Sequence, residues 1–216
     1  MNHSEARRRM PAVELIDDVD LREQTIAEVA RFPDYFWTAP ATSSDRYHNH
    51  FARGERGLWI HVLMAATALE RVVDSHVAQD RLDEDEADHA RAAVLLHDGR
   101  KYGDRWRPGQ SADKDHDLQM FHVLQRRGFP PGVADAVASH MGAWYQGPLP
   151  STPLQHIVHE ADMLASARHV TPAVYYAPDE LVDAAPDLPR CRPDDSAPRT
   201  TGDQSGLGAF GGGVDV

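Results

Sequence analysis

Apolar residues recur along this chain at intervals of three and four, the spacing of one helix face. From Ala12 to Phe32, Val13, Ile16, Leu21, Ile26 and Val29 fall among acidic residues, which predicts a helix. Pro33 to Arg56 lose the periodicity and hold Pro33, Pro40, Gly54 and a polar run. They read as a long loop, and long loops inside a compact domain are often functional. The pattern is clearest over Gly57 to Val77, where Leu58, His61, Ala65, Ala68 and Val72 follow at steps of 3, 4, 3 and 4 residues.

Leu82 to His97 repeats the theme with Ala90, Ala93, Val94 and His97 on one face, and Gly99 to Asp113 is a glycine- and charge-rich loop. Asp115 to Arg127 aligns His116, Met120, Val123 and Leu124, and Gly128, Pro130 and Pro131 stop it. Val133, Ala136, Val137 and His140 mark the next helix, and Gly142 to Pro153 form a proline- and glycine-containing loop. Leu154 to Arg168 then place Leu154, Val158, Ala161, Asp162 and Ala165 together. Two-residue alternation is almost missing before Pro172. The expected fold class is all-α, a bundle of about six to seven helices over residues 1–176. Residues 177–216 are rich in Pro, Asp, Gly and Ser, with a glycine run at Gly211, Gly212 and Gly213, and are expected to be a disordered tail.

Composition narrows the setting. The chain has 216 residues with a hydrophobic fraction of 41%, enough for one domain with a real core. Its formal net charge of −12 repels nucleic acid and anionic membrane, so a phosphate substrate must be drawn in by a metal or a local basic patch. Cys191 is the one cysteine, which excludes an internal disulfide and a thiolate-rich zinc site. No stretch approaches the roughly 20 apolar residues of a membrane helix. Arg7, Arg8 and Arg9 are not followed by a long apolar run, so the start does not read as a signal peptide, and a cytoplasmic location is expected.

The chemistry lies in the polar residues on otherwise apolar helix faces: His61, His97, His116, His140 and Asp162. One such histidine is more often a hydrogen-bonded core residue than a ligand. Five groups of this kind, buried separately, would each need a partner, whereas a shared cation satisfies them together. Consecutive His97 and Asp98 sit about 100° apart on a helix, so both reach one ion only at a helix end, which Gly99 is expected to supply.

This order of residues resembles the HD superfamily of metal-dependent phosphohydrolases. The resemblance runs from about Tyr47 to Arg168 and rests on "GERGLWIHVLMAATALERV", "AAVLLHDGRKYGD" and "IVHEADMLASAR". It implies that His61, His97, Asp98 and Asp162 bind a first metal. In a subset of the family two further histidines hold a second ion, a role that falls here to His116 and His140, with Asp98 bridging. Imidazole and carboxylate ligands suit manganese, iron, nickel, cobalt or zinc, as one or two ions. Such a metal would activate water near neutral pH and clamp a phosphoryl oxygen. Asp98 and Lys101 would then be catalytic, with Lys101 on the phosphate.

The loop after the pair collects Arg100, Lys101, Arg105, Arg107 and Lys114, including both lysines of the chain, and is expected to be a positive funnel for substrate. Its plainer reading is a solvated loop paired with Asp104, Asp113 and Asp115. The run Ser139 to Gly142 is similar to one in bacterial 3′–5′ exoribonucleases, but His140-Met141 stands where those proteins have His-His. His48 and His50 in the preceding loop are candidates for the mouth of the site. Trp144 and Tyr145 are read first as a cap on the core and second as a stacking surface for a base. His159 is read as structural sooner than supporting.

The expected function is hydrolysis of a phosphomonoester or phosphodiester in a nucleotide or short oligonucleotide. The partner is then a phosphorylated small molecule, with short single-stranded nucleic acid as a further candidate and no membrane. The alternatives are a 3′–5′ exonuclease-like activity and a non-catalytic metal- or nucleotide-binding regulatory domain.

Overall fold

The computed structural model describes residues 1–44, 46–175 and 177–191. Within them lie eight α-helices: α1 (His3–Arg9), α2 (Val19–Val29), α3 (Gly57–Ala78), α4 (Glu84–Leu96), α5 (His116–Arg127), α6 (Pro131–Ser139), α7 (Pro153–Ala165) and α8 (Asp179–Ala184). Two two-residue strands, β1 (Val174–Tyr175) and β2 (Arg190–Cys191), pair in parallel. The fold is all-α, and two short helices, α1 and α8, lie outside the six segments that the periodicity marks. Both are too short and too charged to show an apolar stripe.

Helices α2, α4 and α7 begin where side chains take up their free amides. At α4, Asp83 accepts from the Glu86 amide while the Glu86 carboxylate accepts from the Asp83 amide. Glu84, Asp85 and Glu86 add negative charge where the helix dipole favours it. Thr152 and Gln155 cap α7 reciprocally, and Pro153 fills its first position. Gly128, at φ +75°, ends α5 in the left-handed conformation.

Helix α3 is the axis of the bundle, buried on all sides over its first four turns. It packs on α4 and α7, while α6 packs on α4, α5 and α7. The start of α3 is fixed by close approach: a Cβ on Gly57 would sit 2.2 Å from the Ala52 carbonyl oxygen. The predicted loop between α2 and α3 holds single 3-10 turns at Asp34–Trp37 and His50–Arg53. Tyr35, Phe36 and Trp37 are buried, and the Tyr35 hydroxyl donates to the Gly103 carbonyl at 2.8 Å while the Tyr102 hydroxyl donates to Pro40. This pins the loop against the chain that follows His97-Asp98.

Two expectations are corrected. Gly99 has no left-handed φ and does not end α4 in that way. The helix passes into tight turns, with Gly99 bonded to Leu96, Lys101 to Asp98 and Gly103 to Arg100. Glycine is required at 99 because a Cβ would meet the Phe32 ring at 2.5 Å. The second correction concerns the expected tail from 177 onward. Residues 177–191 fold back onto the bundle: Leu181 and Leu188 are buried, and β2 completes the ladder with β1, which packs on α3. Composition hid this because a few apolar anchors in a Pro- and Asp-rich stretch leave no periodicity. The rest of the expected tail, 192–216, lies outside the described residues. No helix among the described residues is long and apolar enough to cross a membrane.

Replacing Leu181 with Ala is expected to lower stability in denaturant unfolding by about 2–4 kcal/mol. A loss below about 0.5 kcal/mol, typical of a surface position, would contradict the packing of this segment.

Candidate metal centre

Five helices deliver the polar residues to one point. His61 comes from the second turn of α3, and His97 and Asp98 from the end of α4. His116 comes from the first position of α5, His140 from the end of α6 and Asp162 from the last turns of α7. All six are buried.

Asp98 is central. Its Oδ2 lies 3.4 Å from His61 Nε2 and 3.5 Å from His97 Nε2, and its Oδ1 lies 3.1 Å from His116 Nε2 and 3.8 Å from His140 Nε2. Asp162 Oδ1 lies 3.0 Å from His61 Nε2 and 3.6 Å from His97 Nε2. The Nε2 atoms of His61 and His97 are 3.3 Å apart, as are those of His116 and His140. Ligand atoms at about 2.1 Å from a common ion stand roughly 3.0 Å apart at right angles and about 3.4 Å apart at tetrahedral corners. Five of the eight spacings fall in that range, and the other three, at 3.5, 3.6 and 3.8 Å, lie just beyond it.

The tautomers point the same way. His97, His116 and His140 each set Nδ1 within 2.7–2.8 Å of the carbonyl three residues earlier, at Val94, Asp113 and Val137. A carbonyl only accepts, so these Nδ1 atoms carry the proton, and each Nε2 turns a lone pair to the centre. Imidazole lone pairs and two carboxylates therefore face one another out of water. Asp98 Oδ1 makes no hydrogen bond, although it is fully enclosed. The buried cation present is Lys101, whose Nζ lies 2.6 Å from Asp98 Oδ2. Two carboxylates against one ammonium leave the centre negative, and a divalent cation fits both the charge and the donor set. His61, His97 and Asp98 form one group that could hold such an ion; Asp98, His116 and His140, and also His97, His140 and Asp162, form others.

The electrostatics follow from burial and these neighbours. Burial presses the His140 pKa down to about 3, and burial also lowers that of His61. Both are thus neutral and able to coordinate. Burial alone would do the same to His97, but the Asp98 and Asp162 carboxylates outweigh it and raise its pKa. Burial opposes charge on Asp98, yet the Lys101 ammonium and the neighbouring imidazoles hold its carboxyl well below the usual range. Burial likewise opposes charge on Lys101, and Asp98 and Asp162 keep it protonated.

A shell of supporting residues surrounds the six. Ser166, at the end of α7, donates to Asp162 Oδ1 at 3.3 Å and stands 3.2 Å from His48 Nε2. The serine has one proton, so His48 Nε2–H donates to Ser166, which donates to Asp162. His48 is buried at φ +65°, stacks edge-on to His61 and also lines the cavity over the centre, whereas His50 is exposed and does not line it. His159 Nδ1 is 2.5 Å from the His140 carbonyl, so it props the backbone of that residue. Asp117, behind His116, is also buried. The sequence reading passes over Ser166 and Asp117; the signal for Ser166 is its i+4 spacing from Asp162, which puts the two on one face.

A cavity of about 450 Å³ opens over the centre, lined in part by Lys101, His116, Asp162, His48, Tyr145 and Trp144. Of the basic residues expected to form a funnel, Lys101 alone lines it. Arg100 pairs with Asp104 at 2.8 Å and borders a separate depression, and Arg105 and Arg107 line another. Trp144 does not cap the core, since 64% of it is exposed. No protein-family model matches the chain, and neither a curated protein nor a solved structure matches it.

Metal-stripped protein is expected to take up manganese or zinc in calorimetry, and the bound ion should raise the thermal midpoint. Asp98→Asn should weaken uptake by more than about 10-fold, since it removes charge from the atom pair shared by both ends of the site. Equal affinity in the two proteins would overturn the assignment of Asp98 as a ligand.

Proposed function

We propose that the chain is a metal-dependent phosphohydrolase of the HD type, acting on a phosphate ester of a nucleotide or short oligonucleotide. The observation that carries this reading is the convergence of His61, His97, Asp98, His116, His140 and Asp162 at ligand spacing beneath a cavity whose wall includes Lys101. His61, His97, Asp98 and Asp162 would hold one ion, and His116 and His140 with Asp98 would hold a second if two are bound. A divalent cation there lowers the pKa of a water and neutralises charge that develops on a phosphoryl group. The side chains do the rest. Asp98 and Asp162 fix negative charge at the centre, and the four imidazoles turn their Nε2 atoms inward. Lys101 exchanges its pairing with Asp98 for a phosphate oxygen, an ammonium that burial keeps short of competing water. The cavity's volume, and the place of Arg100, Arg105 and Arg107 outside it, favour a small substrate over a strand.

The test is a panel of phosphomonoesters and phosphodiesters with added manganese, with chelator, and with two variants. Turnover is expected with manganese and should vanish with chelator and in Asp98→Ala. Lys101→Met should keep its metal yet lose about 10²–10³-fold in turnover. Stoichiometric metal with no turnover of any ester would favour the non-catalytic reading. A Lys101→Met protein with unchanged kinetics would remove that residue from the substrate.

A further inference from the structure

Two aromatic side chains break the rule that large apolar groups are buried. Among the described residues the large exposed aromatics are Tyr47 and Trp144, at 45% and 64% exposure. They come from loops nearly a hundred positions apart, yet both line the same cavity, with ring centroids 6.5 Å apart at 72°. Exposed aromatic surface that gathers at one cavity marks a place for a ligand. Arg46 lies over the Tyr47 ring at 5.9 Å and steadies it, which leaves Trp144 as the open platform. The next residue, Tyr145, stands edge-on to the His116 imidazole, with centroids 5.3 Å apart at 86°. One short loop therefore joins the aromatic mouth to the ligand shell of the centre.

The cavity lining joins buried and open groups: Lys101 and Asp162 are buried, while Ser43, Ser111 and the two rings are exposed. The hydroxyls, 3.5 Å apart, are short uncharged donors and acceptors of the kind that suit sugar hydroxyls. A volume of about 450 Å³ falls in the range of pockets that enclose small ligands.

We propose that Trp144, with Tyr47 set edge-on beside it, binds the base of a nucleoside monophosphate whose phosphate lies at Lys101 and whose sugar lies along Ser43 and Ser111. This rests on the phosphohydrolase reading for the phosphate end and narrows it to mononucleotides. Trp144 and Tyr47 are binding residues that select the substrate; they take no part in bond cleavage.

The experiment is calorimetric binding of adenosine 5′-monophosphate and of ribose 5-phosphate to the full-length protein, manganese-loaded and chelator-stripped. The stripped arm reads binding with no turnover. The nucleotide should bind about 10-fold or more tightly than the sugar phosphate, as one stacked base contributes. Trp144→Ala should abolish that ratio and Trp144→Phe should keep most of it, with ribose 5-phosphate bound equally by all three proteins. Equal affinity for the two ligands in wild type would overturn the proposal, as would a preference that survives both Trp144→Ala and Tyr47→Ala. Turnover of phosphate esters without base preference would sink the base site and leave the hydrolase standing. Base-dependent binding that Trp144→Ala abolishes, with no turnover, would support the base site and remove the hydrolase.

Discussion

The structure turns on a concentration of electron pairs that water cannot reach. Asp98 and Asp162 place carboxylate oxygens against the Nε2 atoms of His61, His97, His116 and His140, and Lys101 is the one ammonium among them. Groups of this kind repel one another in a low-dielectric interior unless positive charge lies between them. Much of the fold reads as an answer to that constraint. Three imidazoles are locked by their own carbonyls at i−3, which fixes the tautomer before any ligand arrives. Asp162 is held by the Ser166–His48 chain, and His140 by His159.

The helix ends are as important as the helices. His97, His116 and His140 all sit at helix termini, where the backbone can turn a side chain to a point that no continuous helix face reaches. The succession of tight turns after Leu96 brings Lys101 back over Asp98, three residues earlier. The loop between α2 and α3 clamps those turns through Tyr35 and Tyr102, and then carries His48 inward with Tyr47 left outside. Stability and site are thereby coupled: the loop that holds the turns in place also lines the cavity, through Ala41, Ser43, Tyr47 and His48.

The proposed activity and the proposed base site divide the cavity between them. Charge and coordination belong to its floor, and stacking belongs to its mouth. Selectivity among phosphate esters then comes from the part of the substrate that does not react, with the aromatic loop supplying it at a distance from the bond that is broken.

The sequence by itself determined the helical class, the approximate helix limits from α3 to α7, and the six residues at the centre. It could do so because those features are local: apolar spacing records a buried face, and a charged or imidazole group on such a face stands out. The tertiary structure alone decided what depends on contacts between distant segments. Arg100, Arg105 and Arg107 are close to Lys101 in sequence, but consecutive turns send their side chains to other surfaces, and only Lys101 faces the cavity. His48 and Ser166 lie 118 residues apart and meet only once α3 and α7 have packed. Trp144, apolar by composition, is exposed because its loop ends at the rim. Leu181 and Leu188 find the core although nothing periodic announces them, since two anchors suffice where the bundle already offers a surface.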